Sequence, residues 1–592
     1  MPRRDRMSGR GPSLRVLAGS QGIDPPSLTA GRDVVLAMEP AHGLILASGV
    51  VAHDHLDAEA RWTIYRAAVT GIGHARQLLD EPLTIAGVCL PWIWEVEILS
   101  ALTVLLSEAE GLRRCVRAGA PASLTLSSGV ARHRRVAAAV ARDAQIELHV
   151  HQPPGAERPA AASRRWRPPP AVVVRRDIVR RAREAGFPSR LRPGCDLFVS
   201  YWPLMDLLDR MLAEPGRRPA VALQRPPSGP RRSLQAALRG GWIGAPGPAD
   251  RRRARAASGP ALQRAHTTPP APFAPFGIDL AEAVLEEVLD IARWRAAGDL
   301  ATAAMLRREF ARQPPASVIV PFDTQPDSRL LVSLAREAGV RTLGLPHGAY
   351  LLPQLLGDLE VSDEVLLWSE HVAPPMRDSD RPVHVVGYPL AHPPPPPTRS
   401  PGGGRARVLV LGQPSPANFA LFDPRVAMRH YEGAVAALRR HVPDAQIVLR
   451  PHPAEGPGAA AQIAARFPGA NLQIDATTPI EDLQASCDLC LGAATTATLQ
   501  AVLAGTPVVA LNLTGFEWSW PLGGDTPVPV ARSAEELGEC LRRWSSPSPL
   551  PGREALAAAL GLGEAGGDGT SRILAVLDGA RGTRGAPAAP AG

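Results

Sequence analysis

Residues 488–511, DLCLGAATTATLQAVLAGTPVVAL, carry a strand–helix–strand pattern. It opens on a short apolar run, Asp488 to Leu491, and turns through Gly492-Ala493-Ala494-Thr495. Apolar residues then recur at helical spacing from Thr496 to Ala504, and Gly505-Thr506-Pro507 ends that pattern before a second apolar run, Val508 to Leu511. A glycine just past the last periodic residue, with a proline close behind, is a helix stop. An apolar run, a helix and another apolar run joined by short turns form a crossover, which places two parallel strands side by side, buried on both faces.

The same alternation extends outward. Strands are expected at Arg407 to Leu411, Ile447 to Arg450 and Leu472 to Ile474. Helices are expected at about Arg425 to Arg440, Ala459 to Phe467 and Pro479 to Ser486, the last opened by a Thr478–Glu481 capping box with Pro479 at its first position. Strand and helix alternating at this pace predict a doubly wound parallel sheet over 405–580. Five consecutive prolines and three glycines between His392 and Gly404 mark a linker at 393–404.

Upstream, residues 33–392 read as a second α/β lobe. Ser123 to Ser127, Ala131 to Asp143 and Ile146 to Val150 form one strand–helix–strand unit. A helix from Asp279 to about Arg295 precedes a strand at Ser317 to Val320, a helix at Ser328 to Ala338 and a strand at Thr342 to Leu345. Further strands are expected at Glu364 to Trp368 and Val383 to Val386. Two low-complexity stretches, near 152–170 and 215–275, read as insertions without a core. Residues 1–32 and 581–592 read as disordered tails.

Composition narrows the function classes. The chain has 592 residues, a formal net charge of +8 and no lysine, so all 65 basic residues are arginine. Arginine, alanine, glycine and proline share GC-rich codons, and the arginine runs, such as Arg251 to Arg255, sit among prolines rather than among aromatics. That pattern argues against nucleic-acid binding and leaves room for peripheral attraction to an anionic inner-membrane surface. The six cysteines show no disulfide framework and no paired zinc spacing, and Cys487 and Cys490, on a strand, read as buried structural thiols. No signal peptide and no membrane-length apolar run is read, so a cytoplasmic protein is expected.

In a doubly wound sheet, ligands bind beyond the carboxyl ends of the strands. Three post-strand turns of the second lobe carry polar groups. Gly412-Gln413-Pro414-Ser415 follows the first strand, where a glycine lets backbone approach a ligand or simply makes a turn. Arg450-Pro451-His452-Pro453 follows the second, with two prolines stiffening a turn whose guanidinium and imidazole can donate to phosphate. Gly492 to Thr498 follows the fourth, where Thr495 and Thr496 open a helix that serves as an anion site, an N-cap, or both. In the first lobe His347 ends a strand ahead of Gly348, with a pKa suited to a general base, and Asp323 is the reserve for that role. No acidic metal-binding triplet stands out.

Taken in order, these turns resemble the GT-B superfamily, especially bacterial capsule and surface-polysaccharide transferases and the CDP-glycerol glycerophosphotransferases. The resemblance rests on His347-Gly348, Gly387-Tyr388-Pro389, Arg450 to Pro453, Asp488, Thr495-Thr496 and Gly505 to Val508, and covers roughly Ser317 to Leu511. It implies two Rossmann-like lobes facing a cleft and a metal-independent glycosyltransferase. Its donor would be a nucleotide-activated sugar, acting as co-substrate with no further cofactor. Its acceptor would be a carbohydrate or lipid-linked glycan. It also implies that His347 is the base and that Arg450, His452, Thr495 and Thr496 hold the donor phosphates. Ala493-Ala494 stand where glycerophosphotransferases carry Asp-Tyr, which favours a sugar donor over a polyol phosphate, and Gln500 stands where many sugar transferases carry Glu. A polyol-phosphate transferase, a nucleotide-sugar epimerase and a non-catalytic binding protein on the same scaffold remain alternatives.

Overall fold

The computed structural model describes residues 13–17, 33–37, 50–51, 56–127, 130–151, 189–199, 205–222, 230–346, 359–377, 380–388, 405–412, 426–452, 458–493, 495–513, 528–544, 553–561 and 569–583. The chain divides into two compact units. The first comprises Met1–Pro168, Pro260–Trp294 and Ser415–Arg425; the second comprises Pro169–Gly259, Arg295–Pro414 and Val426–Gly592.

The first unit holds a five-stranded parallel sheet of β1 (Ser13–Leu17), β2 (Asp33–Ala37), β3 (Val50–Val51), β6 (Ser123–Ser127) and β7 (Glu147–His151), in the order β3-β2-β1-β6-β7. A small hairpin, β4 (Thr84–Ile85) with β5 (Val88–Cys89), stands apart from it. Helices Ala58–Leu79 and Glu95–Gly119 supply most of its core, with Ile64, Ile98, Leu102 and Leu105 fully buried. Two expectations change here. Ser13–Leu17 is the central strand of a sheet rather than part of a disordered tail, because parallel partners on both sides hold a run too short to stand alone. The strand–helix–strand unit at 123–150 belongs to this separate sheet rather than to the lobe expected over 33–392.

The second unit holds two larger sheets. One contains β8 (Arg190–Leu191), β9 (Asp196–Val199), β10 (Pro219–Ala222), β11 (Gly241–Ile243), β12 (Ser317–Val320), β13 (Arg341–Gly344), β14 (Glu364–Leu367) and β15 (Val383–Val385). Their order is β15-β14-β13-β12-β9-β10-β11-β8, parallel except for the edge strand β8. The other contains β16 (Arg407–Leu411), β17 (Gln446–Arg450), β18 (Leu472–Ile474), β19 (Leu489–Gly492), β20 (Val508–Leu511) and β21 (Val530–Ala531), all parallel, in the order β18-β17-β16-β19-β20-β21. Both are doubly wound, with the strand order reversing between β9 and β12 and between β16 and β19. These are the two Rossmann-like sheets expected from the sequence.

Alternation along β16 shows how the sheets share a core. Leu409 and Leu411 belong to a cluster that also contains Ile319, Leu343 and Trp368 of the eight-stranded sheet's side, whereas Val408 and Val410 face Tyr431 and Val435 of the helix Val426–His441. The C-terminal helix Gly569–Thr583 returns to the eight-stranded sheet, beyond the lobe expected to contain it. Val576 accepts from Arg341 Nη1 at 3.1 Å, Asp578 pairs with Arg217, and Ile573, Leu574 and Leu577 are buried in the shared cluster.

The 215–275 stretch is a further difference. It forms helix Pro230–Arg239, β11 and helix Pro248–Thr267. Alanine and arginine favour helix, and Ala254, Ser258, Ala261 and Ala265 make a buried stripe at helical spacing despite Pro260.

Candidate functional site

Register places three turns at one edge of the six-stranded sheet. Leu411, the last residue of β16, lies opposite Arg450, the last of β17. On the other side Val410 lies opposite Leu491, which brings Leu411 beside Gly492, the last of β19. Neighbouring strands lie about 4.8 Å apart, so Gly412, Pro451-His452 and Ala493 leave the sheet within about 10 Å of one another. The reversal between β16 and β19 opens the crevice in which such sheets bind ligands.

Glycines shape this edge. The amide of the buried Gly412 donates to Arg450 O at 2.7 Å, tying two of the turns together. A Cβ on Gly492 would stand 2.6 Å from Thr498 Oγ1 and 3.1 Å from Leu411 Cδ1, so only glycine lets the following helix sit this close to the strands. That helix, Thr496–Leu503, is capped by Thr495, whose hydroxyl accepts from the Thr498 amide at 3.4 Å. Thr498 donates its own hydroxyl to Ala493 O at 2.6 Å and stands 3.1 Å from Thr495 Oγ1. Thr498 thus ties the helix start to Ala493, with Thr495 and Thr496 half-buried at a helix end that carries partial positive charge.

The Arg450 side chain is not left open. Its Nη1 donates to Asp475 O at 3.1 Å and lies 3.7 Å from the Asp475 carboxylate. Asp475, just past β18, accepts from the amide and hydroxyl of Thr478 and the amide of Thr477, which hold its pKa down at about 2. Arg450 therefore braces the β18 turn beside the site. This Asp475 turn takes the place of the expected Thr478–Glu481 capping box, and Pro479 is the N-cap rather than the first helical residue. His452 is half-buried next to it, and burial lowers its pKa, so its imidazole is neutral near pH 7.

The remaining expected residues fall differently. Gln413 and Ser415 lie outside the described residues, as do His347 and Gly348, which follow the described Leu345-Pro346 after β13. Asp323 is fully buried, and its two carboxylate oxygens accept from the amides of Glu360 and Ser362, both at 2.7 Å. It clasps a loop and is not placed to take a substrate proton, which corrects its assignment as reserve base. Asp488 sits at the amino end of β19, where it accepts from the Arg407 amide at 2.7 Å, away from the ligand edge. Gly387 adopts φ 78°. Beside it the Tyr388 carbonyl lies so close to Gly569 that a Cβ there would stand 2.3 Å from it. The Gly387-Tyr388 motif thus receives the start of the C-terminal helix. Cys487 and Cys490 are buried, and burial raises the Cys490 thiol pKa, in line with structural thiols.

One histidine at this edge carries no sequence signal. His430, on helix Val426–His441, is 2% exposed and its Nε2 accepts from the Leu513 amide at 3.2 Å, just after β20. Among the described residues its Nδ1 has no hydrogen-bond partner, and burial pushes its pKa down to about 4. Tyr431 beside it donates to Arg450 O at 3.5 Å. Among the described residues no group of acidic, histidine or cysteine side chains could hold a metal ion.

Three solved structures are similar to this chain at low identity. A UDP-N-acetylglucosamine 2-epimerase from Rickettsia bellii is 11% identical with a TM-score of 0.40, over 67% of this chain and 99% of that one. The wall teichoic acid polymerase TagF is 10% identical with a TM-score of 0.33, over 66% of this chain and 89% of that one. The GtfA/B complex is 10% identical with a TM-score of 0.33, over 48% of this chain, which spans only 61% of that chain's length. No protein-family model and no curated protein sequence matches the chain. At these identities and TM-scores the likeness carries no argument, and both the fold and the chemistry of the site rest on this chain's own residues.

Proposed function

We propose that the chain is a glycosyltransferase that moves a sugar from a nucleotide-activated donor to a carbohydrate or lipid-linked glycan acceptor. The observation that carries this reading is the in-register convergence of Gly412, Arg450-Pro451-His452 and Gly492-Ala493 at the reversal point of a doubly wound sheet, with the Thr495-capped helix following. Tight glycines, a rigid imidazole and a capped helix end suit a diphosphate rather than an apolar ligand.

In this reading the donor diphosphate lies across the β16–β19 crevice. His452 donates one hydrogen bond to it, and the first turn of helix Thr496–Leu503 supplies main-chain and hydroxyl donors. Arg450 acts through the Asp475 turn, holding the edge in shape and contributing a partly neutralised charge. As the bond between sugar and phosphate oxygen breaks, negative charge grows on the leaving group, and donors fixed beforehand stabilise it without rearranging. His347 takes the proton of the attacking acceptor hydroxyl. The leaving-group charge is thus met by these protein groups.

The test is turnover. The protein is incubated with UDP-, CDP- and GDP-activated sugars, with and without an oligosaccharide acceptor, and nucleotide release is followed. Release that requires an acceptor is expected, with His452→Ala raising the donor KM and His347→Ala mainly lowering kcat. Wild-type kinetics in both variants would contradict the site. Conversion of the donor without an acceptor would identify an isomerase instead.

A further inference from the structure

The first unit contains a cavity of about 460 Å³, remote in sequence from the turns described above. One wall is a single face of helix Ala131–Ala144, with Arg134, Arg135 and Arg142 alternating with Ala138 and Ala139. The rest of the lining is Pro270, Pro272 and the start of helix Ala281–Arg312, with Asp279 and Glu282. Ala138, Ala139, Ala281 and Ala283 in the lining leave the space that larger side chains would fill.

The charges are unequally committed. Arg135 is spent on Glu287, at 3.0 Å, and on Asp290, at 3.4 Å. Asp279 is spent on the Ala281 amide, at 3.0 Å. Arg134 and Arg142 have no ion-pair or side-chain hydrogen-bond partner among the described residues, and neither does Glu282. Arg134 and Arg142 lie eight residues apart on the helix, about 12 Å along its axis. The cavity lining therefore presents two guanidinia and one carboxylate that are unmatched among the described residues. Unmatched positive charge in a concave site concentrates anions there, and planar guanidinia suit phosphate and carboxylate geometry. A carboxylate in the same lining accepts hydrogen bonds from hydroxyls. The volume falls within the range of small-molecule sites.

We propose that this cavity binds an anionic, polyhydroxylated small molecule, a sugar bearing a phosphate or a carboxylate. The anion sits on Arg134 and Arg142, and the hydroxyls donate to Glu282. This site is independent of the donor-site reading.

The experiment is calorimetric titration of the full chain with glucose 6-phosphate, glucuronic acid, glucose and inorganic phosphate. Glucose 6-phosphate, glucuronic acid or both are expected to bind at one site, more tightly than phosphate alone, with glucose not binding. Whichever binds more tightly identifies the anion. Arg134→Ala and Arg142→Ala, which break no ion pair, should each weaken binding about tenfold. Ala138→Trp should abolish it by filling the cavity, with folding checked by circular dichroism, and His452→Ala should leave it unchanged. The proposal is overturned if neither anionic sugar binds, if inorganic phosphate binds as tightly as both, if the arginine variants bind as the wild type does, or if only His452→Ala loses binding.

Discussion

His430 offers a quantitative probe of the ligand edge. Its imidazole is buried against the Leu513 amide, with a pKa near 4 instead of 6.5. Between those values the unfolded chain binds a proton that the folded chain refuses, so stability falls as pH falls through this window. The full difference, 2.5 pH units (6.5 − 4), corresponds to about 3 kcal/mol. About 2 kcal/mol of it should be lost between about pH 7 and pH 5. The assay is guanidinium denaturation of the wild type and His430→Gln at both pH values. Because other groups titrate equally in both proteins, the informative quantity is how much more the wild type loses than the variant. Equal losses would show that the imidazole is solvated or already paired, and the packing assigned to the β20 end of the site would be wrong.

Four further outcomes follow from the same geometry. Gly492→Ala places a methyl against Thr498 Oγ1 and Leu411; it should cost about 1–3 kcal/mol and weaken nucleotide binding, measured by denaturation and calorimetry. Asp323→Ala leaves the buried Ser362 amide unpaired and frees that of the exposed Glu360; it should cost about 1–3 kcal/mol, while kcat per folded molecule, determined by active-site titration, stays near wild type, unlike that of His347→Ala. Asp475→Asn should remove a stabilising effect present above about pH 3.8 and lost as pH falls through about 2. Its donor KM should rise as the Arg450 brace loosens, read from initial rates. Donor binding should be accompanied by proton uptake, because a bound diphosphate raises the pKa of His452 that burial has lowered; calorimetry in buffers of different ionisation enthalpy reports it.

Much of the six-stranded sheet was legible because β16, β17, β19 and β20 are apolar runs bounded by turn residues, and strand ends locate a ligand edge without further information. The turns at Gly412, Arg450 and Gly492 were found for that reason. The central strand Ser13–Leu17 was not, because its identity comes from neighbours far along the chain. Helix Pro248–Thr267 was hidden by Pro260 and by arginines that read as low complexity. Nor could local pattern show that Pro260–Trp294 packs with the first 168 residues. Asp323 was misjudged because an acid after a strand looks the same whether it meets water or loop amides. Asp475 and His430 were missed because their importance lies in partners, and partners are set by tertiary packing.

The proposed function requires a nucleoside diphosphate to be held at the carboxyl edge of the six-stranded sheet. Calorimetric titration of UDP, CDP and GDP into the wild type, His452→Ala and Thr495→Ala tests it directly. One nucleotide should bind with one-to-one stoichiometry, and each substitution should weaken it about tenfold. Binding of none of the three, or unchanged affinity in both variants, would contradict it.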